Sequence, residues 1–432
     1  MFGKMQMLFA PDTGLIGGCP AAPSFDPLDP QTAADPYPHL VALRRDRPVF
    51  EMAQYGMWCL TRRDDILEVL RDPELYSVAP YASVTEVPAA IRSEVGVDYV
   101  PPITLDQILT TDPPRHTRLR KAFQPAFTPK AIGRYEGVVR ATVDELIDGF
   151  VGEGRTDFVD AFARPLPLTV IGTIIGLPPD RRGEFRGYIE AVMRAQLSAG
   201  LPEEELVGHW RTILGFDGYF REFLDDRRAH PQDDLASAVL HAPAEASDEA
   251  LSDRALRSSL IGLAIAGGDT IAILLTHIMH LLLSEPARWQ SLQRDRAQIP
   301  GVVEEVLRLN GPVVALLRQT TAAVQVGGVD IPQGAVLYLH IGSANHDEAT
   351  FDEPETFLLG RQGLTKHLAF GTLTHFCLGA PLARLQARVA LERLLVRLPS
   401  PRLANPDQPL EYVPNFLFPQ VQHLQLRWNT TT

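Results

Sequence analysis

The apolar residues fall into two rhythms. From about residue 115 to 285 they recur every three and four positions, as in Val138, Val139, Val143, Leu146, Ile147 and Phe150, which predicts amphipathic helices. Helices are expected over Pro38–Arg47, Arg63–Arg71, Glu184–Leu197, Glu203–Arg228 and from about Gly379 to Leu398. After Pro312 the texture changes. Thr320–Val326, Val329–Ile331 and Val336–Ile341 read as strands set apart by Gly327-Gly328 and by Pro332-Gln333-Gly334, and residues 410–429 read as terminal strands. Val49–Thr61 alternates like a hairpin turning near Gly56. Residues 79–110, rich in Pro, Val and Thr, read as a long irregular loop of the kind that often carries function. The class is therefore mostly α with a smaller β region.

One stretch breaks the amphipathic rule. Leu260–Leu283 is apolar on every face and holds a single formal charge, Asp269, near its middle. Its 24 residues could span a bilayer, but a central Asp costs about 2.5–3.5 kcal/mol there. The reading preferred is the buried axis of a large soluble protein, N-capped by Ser252 and ended before Pro286.

Composition narrows the class further. The 432 residues are 45% hydrophobic and 22% charged, with a formal net charge of -13. An acidic chain argues against a general nucleic-acid binder. Cys19, Cys59 and Cys377 make no disulfide framework, which suits a reduced cytoplasmic setting. The N-terminus lacks a long apolar core, so neither signal peptide nor membrane anchor is expected. No linker divides the chain, which is read as one domain over 1–432 with the first 30 or so residues irregular.

Chemistry concentrates at a few points. Phe370-Gly371-Thr372-Leu373-Thr374-His375-Phe376-Cys377-Leu378-Gly379 is a loop leading into a helix. A cysteine just before a helix N-terminus has its thiolate favoured by backbone N–H groups; the plainer possibility is an inert buried cysteine. A zinc site from His367, His375 and Cys377 lacks the usual paired spacing. In the long helix, Ala266-Gly267-Gly268-Asp269-Thr270 puts two glycines and an acid–alcohol pair into an apolar run. That is either a packing notch, with Thr bonded back to its own helix, or a place where a small ligand is bound and protonated. Glu305 and Arg308 can pair at i, i+3. His116 and Arg120 stand one turn apart, Arg318 precedes a strand, and His346 follows Asn345 in a loop.

In this order and separation, from about Asp35 to Trp428, these features resemble the cytochrome P450 family: a triangular helical haem domain with a long central helix. The resemblance implies haem b, with Cys377 as axial ligand of the iron. It implies Asp269 and Thr270 as the acid–alcohol pair of catalysis, and Phe370, Gly371, Gly379, Ala266 and Gly267 beside the cofactor. His116, Arg120, Arg318 and His375 match positions that grip the haem propionates, and Glu305 with Arg308 a buried structural pair. One position departs: the family loop usually has Gly where this chain has Leu373.

The function implied is a monooxygenase that activates O2 with two electrons from a ferredoxin and ferredoxin reductase. It would hydroxylate or epoxidise a hydrophobic small molecule. Pocket candidates are Leu263, Ala266, Gly267, Val313, Val314, Leu316 and Leu417-Phe418, with parts of 80–110 and 185–205. Arg71, Arg118, Lys121, Arg384 and Arg388 are expected to form a basic patch for the ferredoxin. Two other readings stand beside it: a haem-thiolate peroxygenase using hydrogen peroxide, and a non-catalytic haem or apolar-ligand binding protein.

Overall fold

The computed structural model describes residues 25–78, 87–96, 107–197, 202–241, 252–413 and 415–430. The expected irregular N-terminus and most of the 79–110 loop lie outside these, although Ala89–Val95 within that loop forms a helix.

The axis is the helix Asp253–Ser284, about 48 Å long at ~1.5 Å per residue. Ser252 caps it, its hydroxyl accepting from Ala255 N at 3.2 Å, and the chain leaves at Glu285 before Pro286. The length and apolar character of this helix would suffice to cross a membrane, yet most of its apolar stretch is buried in the protein. Leu260, Ile261, Ala264, Leu274, Leu275 and Ile278 all lie in the main core. Helices Pro165–Ile175, Ile299–Leu309 and Ala380–Arg397 pack around it.

The two mid-helix glycines have different surroundings. A Cβ on Gly268 would come within 2.9 Å of Leu168 Cδ2, so this glycine lets the helix Pro165–Ile175 cross closely. A Cβ on Gly267 would meet nothing within 4 Å. The packing notch is Gly268, and Gly267 faces open space.

The main sheet runs Val49–Met52, Met57–Leu60, Val336–Leu339, Leu316–Thr320, Tyr76–Ser77. Its first two strands are an antiparallel hairpin, Met57–Leu60 pairs parallel to Val336–Leu339, and the rest is antiparallel. Two expectations change here. The stretch 320–326 is two strands, Leu316–Thr320 and Val324–Val326, because the chain turns at Thr321-Ala322-Ala323. Arg318 therefore lies within a strand, with Leu317 facing one core and Arg318 the opposite side. Ile341 opens a helical turn, Ile341–Asn345, instead of closing a strand.

Glu305 and Arg308, both fully buried, are bidentate partners at 2.8 and 2.9 Å. Glu305 also accepts from Leu358 N and Arg361 Nε, at 3.0 and 2.9 Å. Arg308 donates to the carbonyls of Asn345, Pro354 and Thr356. His346, stacked on Tyr37 at 3.8 Å, joins the same region through Leu309 O and Glu355. The helix Ile299–Leu309, the turn Ile341–Asn345 and the irregular stretch 354–361 are thus tied at one buried charge pair. Glu305→Leu would leave Arg308 and Arg361 facing no carboxylate there. We expect a loss of about 3–5 kcal/mol in denaturant unfolding, or failure to accumulate folded protein.

Candidate functional site

The loop 370–379 is shaped by its backbone. Gly371 takes a left-handed conformation (φ +63°), and Cys377 N donates to Phe370 O at 2.8 Å, closing the loop on itself. Leu373 also sits at positive φ (+54°), opening a single turn Leu373–His375, with its side chain half exposed. The departure seen in the sequence thus keeps a glycine-like backbone at the cost of a strained leucine.

Cys377 is half-buried and directly precedes the helix Ala380–Arg397. Burial pushes its thiol up, while the N–H groups of Gly379 and Ala380, with Arg120 and Arg384, pull the other way. Every one of these polar neighbours favours a thiolate, and a cation at the sulfur would complete the set. Gly379 stands where a Cβ would touch the sulfur at 3.9 Å. Cys59, by contrast, is fully buried with its thiol pushed up by burial alone.

The structure brings His116, Arg120, Arg318 and His375 together. The imidazoles of His116 and His375 lie 4.1 Å apart. Among the described residues, both ring nitrogens of His116, and Nε2 of His375, are buried without a hydrogen-bond partner. Burial pulls His116 down to about 4, with the Arg120 charge adding to it. Burial, then His116, Arg318 and Arg120, bring His375 to about 3. The acid acting on His116 is Asp112, which is already bonded by the Ser77 hydroxyl and Val78 N. Two guanidinium groups and two orphaned imidazoles without a free carboxylate make a built receptor for anionic oxygens.

On the long helix, Thr270 donates to Ala266 O at 2.6 Å, and Ala266 is exposed to the same open side as Gly267. Asp269 turns elsewhere: its Oδ2 accepts from Gln420 Nε2 at 2.9 Å. Burial raises the Asp269 carboxyl against the pull of Arg164 and of this bond. Leu263 is two turns before Thr270 and half-buried. Val314 N donates to Leu417 O at 2.9 Å, tying the segment before Phe418 to the stretch that enters the strand at Leu316; Val313, Leu316 and Phe418 are each half-buried. Val314 also lines a small cavity of about 30 Å³ with Phe25, Thr32, His340, Tyr412 and Asn415. Residues 80–86, 97–106 and 198–201, expected among the walls, lie outside the described residues.

The zinc alternative fails, and one expectation is corrected. His367 bonds Glu304 at 3.0 Å and does not join His375 and Cys377. Among the described residues, the side chains close enough to share an ion are Asp157, Asp160 and His423. The basic patch is partly neutralised: Arg384 pairs with Glu304 at 2.6 Å and lies over the Phe370 ring, and Arg388 pairs with Glu136 and Glu392, each at 2.7 Å. Arg71 and Lys121 remain exposed. Sequence reasoning missed Gln420, Glu304 and Arg361. The Glu304–Arg384 contact joins residues 80 apart, and no local pattern announces it.

The family model described as Cytochrome P450 matches residues 215–400. Cytochrome P450 107B1 of Saccharopolyspora erythraea is 33% identical over 81% of this chain and 84% of its own length. Erythromycin C-12 hydroxylase from the same organism is 35% identical over 83% of this chain and 86% of its own. The structure of cytochrome P450 CYP109Q5 from Chondromyces apiculatus superposes with a TM-score of 0.82 at 32% identity, covering 94% of this chain and 98% of that one.

Two outcomes follow from this geometry. Leu373→Gly removes a left-handed leucine and should raise stability by up to about 1 kcal/mol, read as a higher denaturant midpoint at unchanged slope. Burial alone would raise Glu304, but Arg384 and His367 outweigh it and bring it to about 2 from the ordinary 4.5. A depressed carboxyl stabilises above its ordinary value and loses that as pH falls from about 4.5 through about 2. Glu304→Gln should therefore be less stable by about 1–3 kcal/mol at neutral pH, with the gap closing on acidification in a pH series of melts.

Proposed function

The chain belongs to the cytochrome P450 family of haem-b monooxygenases, and on that premise we propose that Cys377 is the thiolate ligand of the haem iron and that its reaction is ferredoxin-driven hydroxylation or epoxidation of a hydrophobic small molecule. The whole chain is read as one haem domain, working in the cytoplasm, where a free Cys377 stays reduced.

The observation that carries the ligand assignment is the cationic receptor beside Cys377. Haem b brings two propionates, and the open donors of His116 and His375 with Arg120 and Arg318 suit them in number and charge. Gly371 and Gly379 keep side chains off the faces where a flat ring would lie. When bound, the haem supplies the thiolate-ligated iron at which dioxygen is activated with two electrons.

The chain's own residues then do three things. The N–H groups of Gly379 and Ala380 stabilise negative charge on Cys377 sulfur and restrain its basicity. Thr270, on the open side of the long helix, holds its hydroxyl on Ala266 O, where it can pass a proton or order a water. Asp269, one residue away and raised by burial, is the acid that replenishes it. The candidate walls Leu263, Val313, Val314, Leu316 and Phe418 are apolar, which supports an apolar substrate and the exclusion of water. One relative is named erythromycin C-12 hydroxylase, so erythromycin belongs first in a substrate screen. Arg71 and Lys121, exposed and, among the described residues, without the acidic partners that Arg384 and Arg388 have, support docking of an acidic ferredoxin.

The reduced, carbon monoxide-bound protein should show the strongly red-shifted Soret band of a thiolate-ligated haem. Cys377→Ser should lose that band while keeping the helical circular dichroism. A red-shifted band that survives in Cys377→Ser sinks the ligand assignment. A screen for spin-state shifts, followed by product identification, tests the substrate class.

A further inference from the structure

The C-terminal hairpin, Tyr412–Val413 paired with Gln420–Val421, reaches the long helix through the Gln420 side chain. Its own backbone is already secured. Tyr338 Oη donates to Phe416 O, Val314 N to Leu417 O, Leu417 N and Phe418 N to Asn415 Oδ1, and Gln420 N to Phe418 O. The Gln420 carboxamide is not needed for that scaffold, and it lands on the only carboxylate between Leu260 and Leu283.

The other charged groups acting on Asp269 are Arg164, at the entry to the helix Pro165–Ile175, and Glu190 from the helix Arg182–Leu197. Arg164 is itself paired with Asp160. Among the described residues, the direct contact to Asp269 is therefore the neutral one. An arginine in that place would lock the group as a carboxylate. A primary carboxamide can donate through Nε2 to the ionised acid, or accept through Oε1 from the protonated one, and so can follow a change of protonation.

We propose that Gln420 is a positioning residue for Asp269: it ties the carboxyl to the hairpin that carries the candidate wall residue Phe418, so that the hairpin sets where the acid stands for proton transfer. This rests on the reading of Asp269 as the proton-delivering acid. The coupling runs from a pocket wall, through two residues of backbone and one hydrogen bond, to the acid.

The test uses the haem-loaded protein, Gln420→Leu, Asp269→Asn and the double variant, and needs no substrate. The first readout is the melting temperature across pH. Burial raises Asp269, so its ionisation costs stability as pH climbs from the ordinary carboxylate value through the raised one. Gln420→Leu removes a donor that favours the ionised form, so its melting temperature should fall further as pH rises. In the Asp269→Asn background the same substitution should leave the pH dependence unchanged. The second readout is reoxidation of the dithionite-reduced protein in aerated buffer. Asp269→Asn should slow it by about threefold or more and flatten its pH profile, and Gln420→Leu should move its alkaline limb to higher pH. If Gln420→Leu leaves both pH profiles as in the wild type, or changes them equally without Asp269, the proposal falls. If Asp269→Asn reoxidises like the wild type while the melting curves behave as expected, the bond stands, but the reading of Asp269 as the acid falls and takes the proposed role of Gln420 with it.

Discussion

A charge taken out of water has to be answered, and this fold answers its buried charges in three different ways. Glu305 and Arg308 are answered completely: a bidentate pair, a second arginine, one backbone N–H and three carbonyls leave no spare donor or acceptor of consequence. Asp269 is answered by a neutral carboxamide, so its ionisation stays adjustable. Arg120 and Arg318 flank His116 and His375, which burial keeps neutral and whose buried ring nitrogens His116 Nδ1 and Nε2 and His375 Nε2 have no partner among the described residues. A complete network binds the scaffold together, an adjustable one suits an acid, and an open one needs a guest.

The long helix makes these three solutions compatible. It is apolar because it is the axis of the core, and that same burial raises Asp269. Gly268 permits the close approach of Leu168, which packs one flank, while Gly267 and Ala266 leave the other flank open. The side-chain hydroxyl of Thr270 then has its helix carbonyl as partner on that open flank. A single turn of helix thus carries a packing notch, a cleared surface, an acid and an alcohol.

The helical part of this architecture was legible because it depends on local signals. Ser252 as cap and Pro286 as stop bound the axis, and the four-residue spacing of Val139, Val143 and Ile147 marks a buried face. The strand at Leu316 was harder, since a short buried run such as Leu316-Leu317-Arg318 carries no clean alternation and Arg318 argues against burial until its function is considered. The candidate site was legible as residue types: a lone cysteine before a helix, a histidine and an arginine one helical turn apart, an acid next to an alcohol. What stayed hidden was pairing across long separations. Gln420 meets Asp269 from 151 residues away and Arg384 meets Glu304 from 80. Such contacts follow from the packing of elements, which local spacing does not encode.

That distinction explains why the expected basic face changed character. Arg384 and Arg388 lie one turn apart on Ala380–Arg397, and by position alone both could greet a partner protein. Instead Arg384 is held between the Glu304 carboxylate and the Phe370 ring, and Arg388 between Glu136 and Glu392. Arg384 is half exposed and its pairing with Glu304 is bidentate, so its charge is spent on keeping the helix after Cys377 against the helix that holds Glu305. The loop 370–379 is then anchored at both ends, through Phe370 under Arg384 and through Cys377 N on Phe370 O. Between those ends Leu373 takes the left-handed region, and its side chain remains about half exposed. A leucine at that position is tolerable because the anchors set the loop's path, not the residue at its bend.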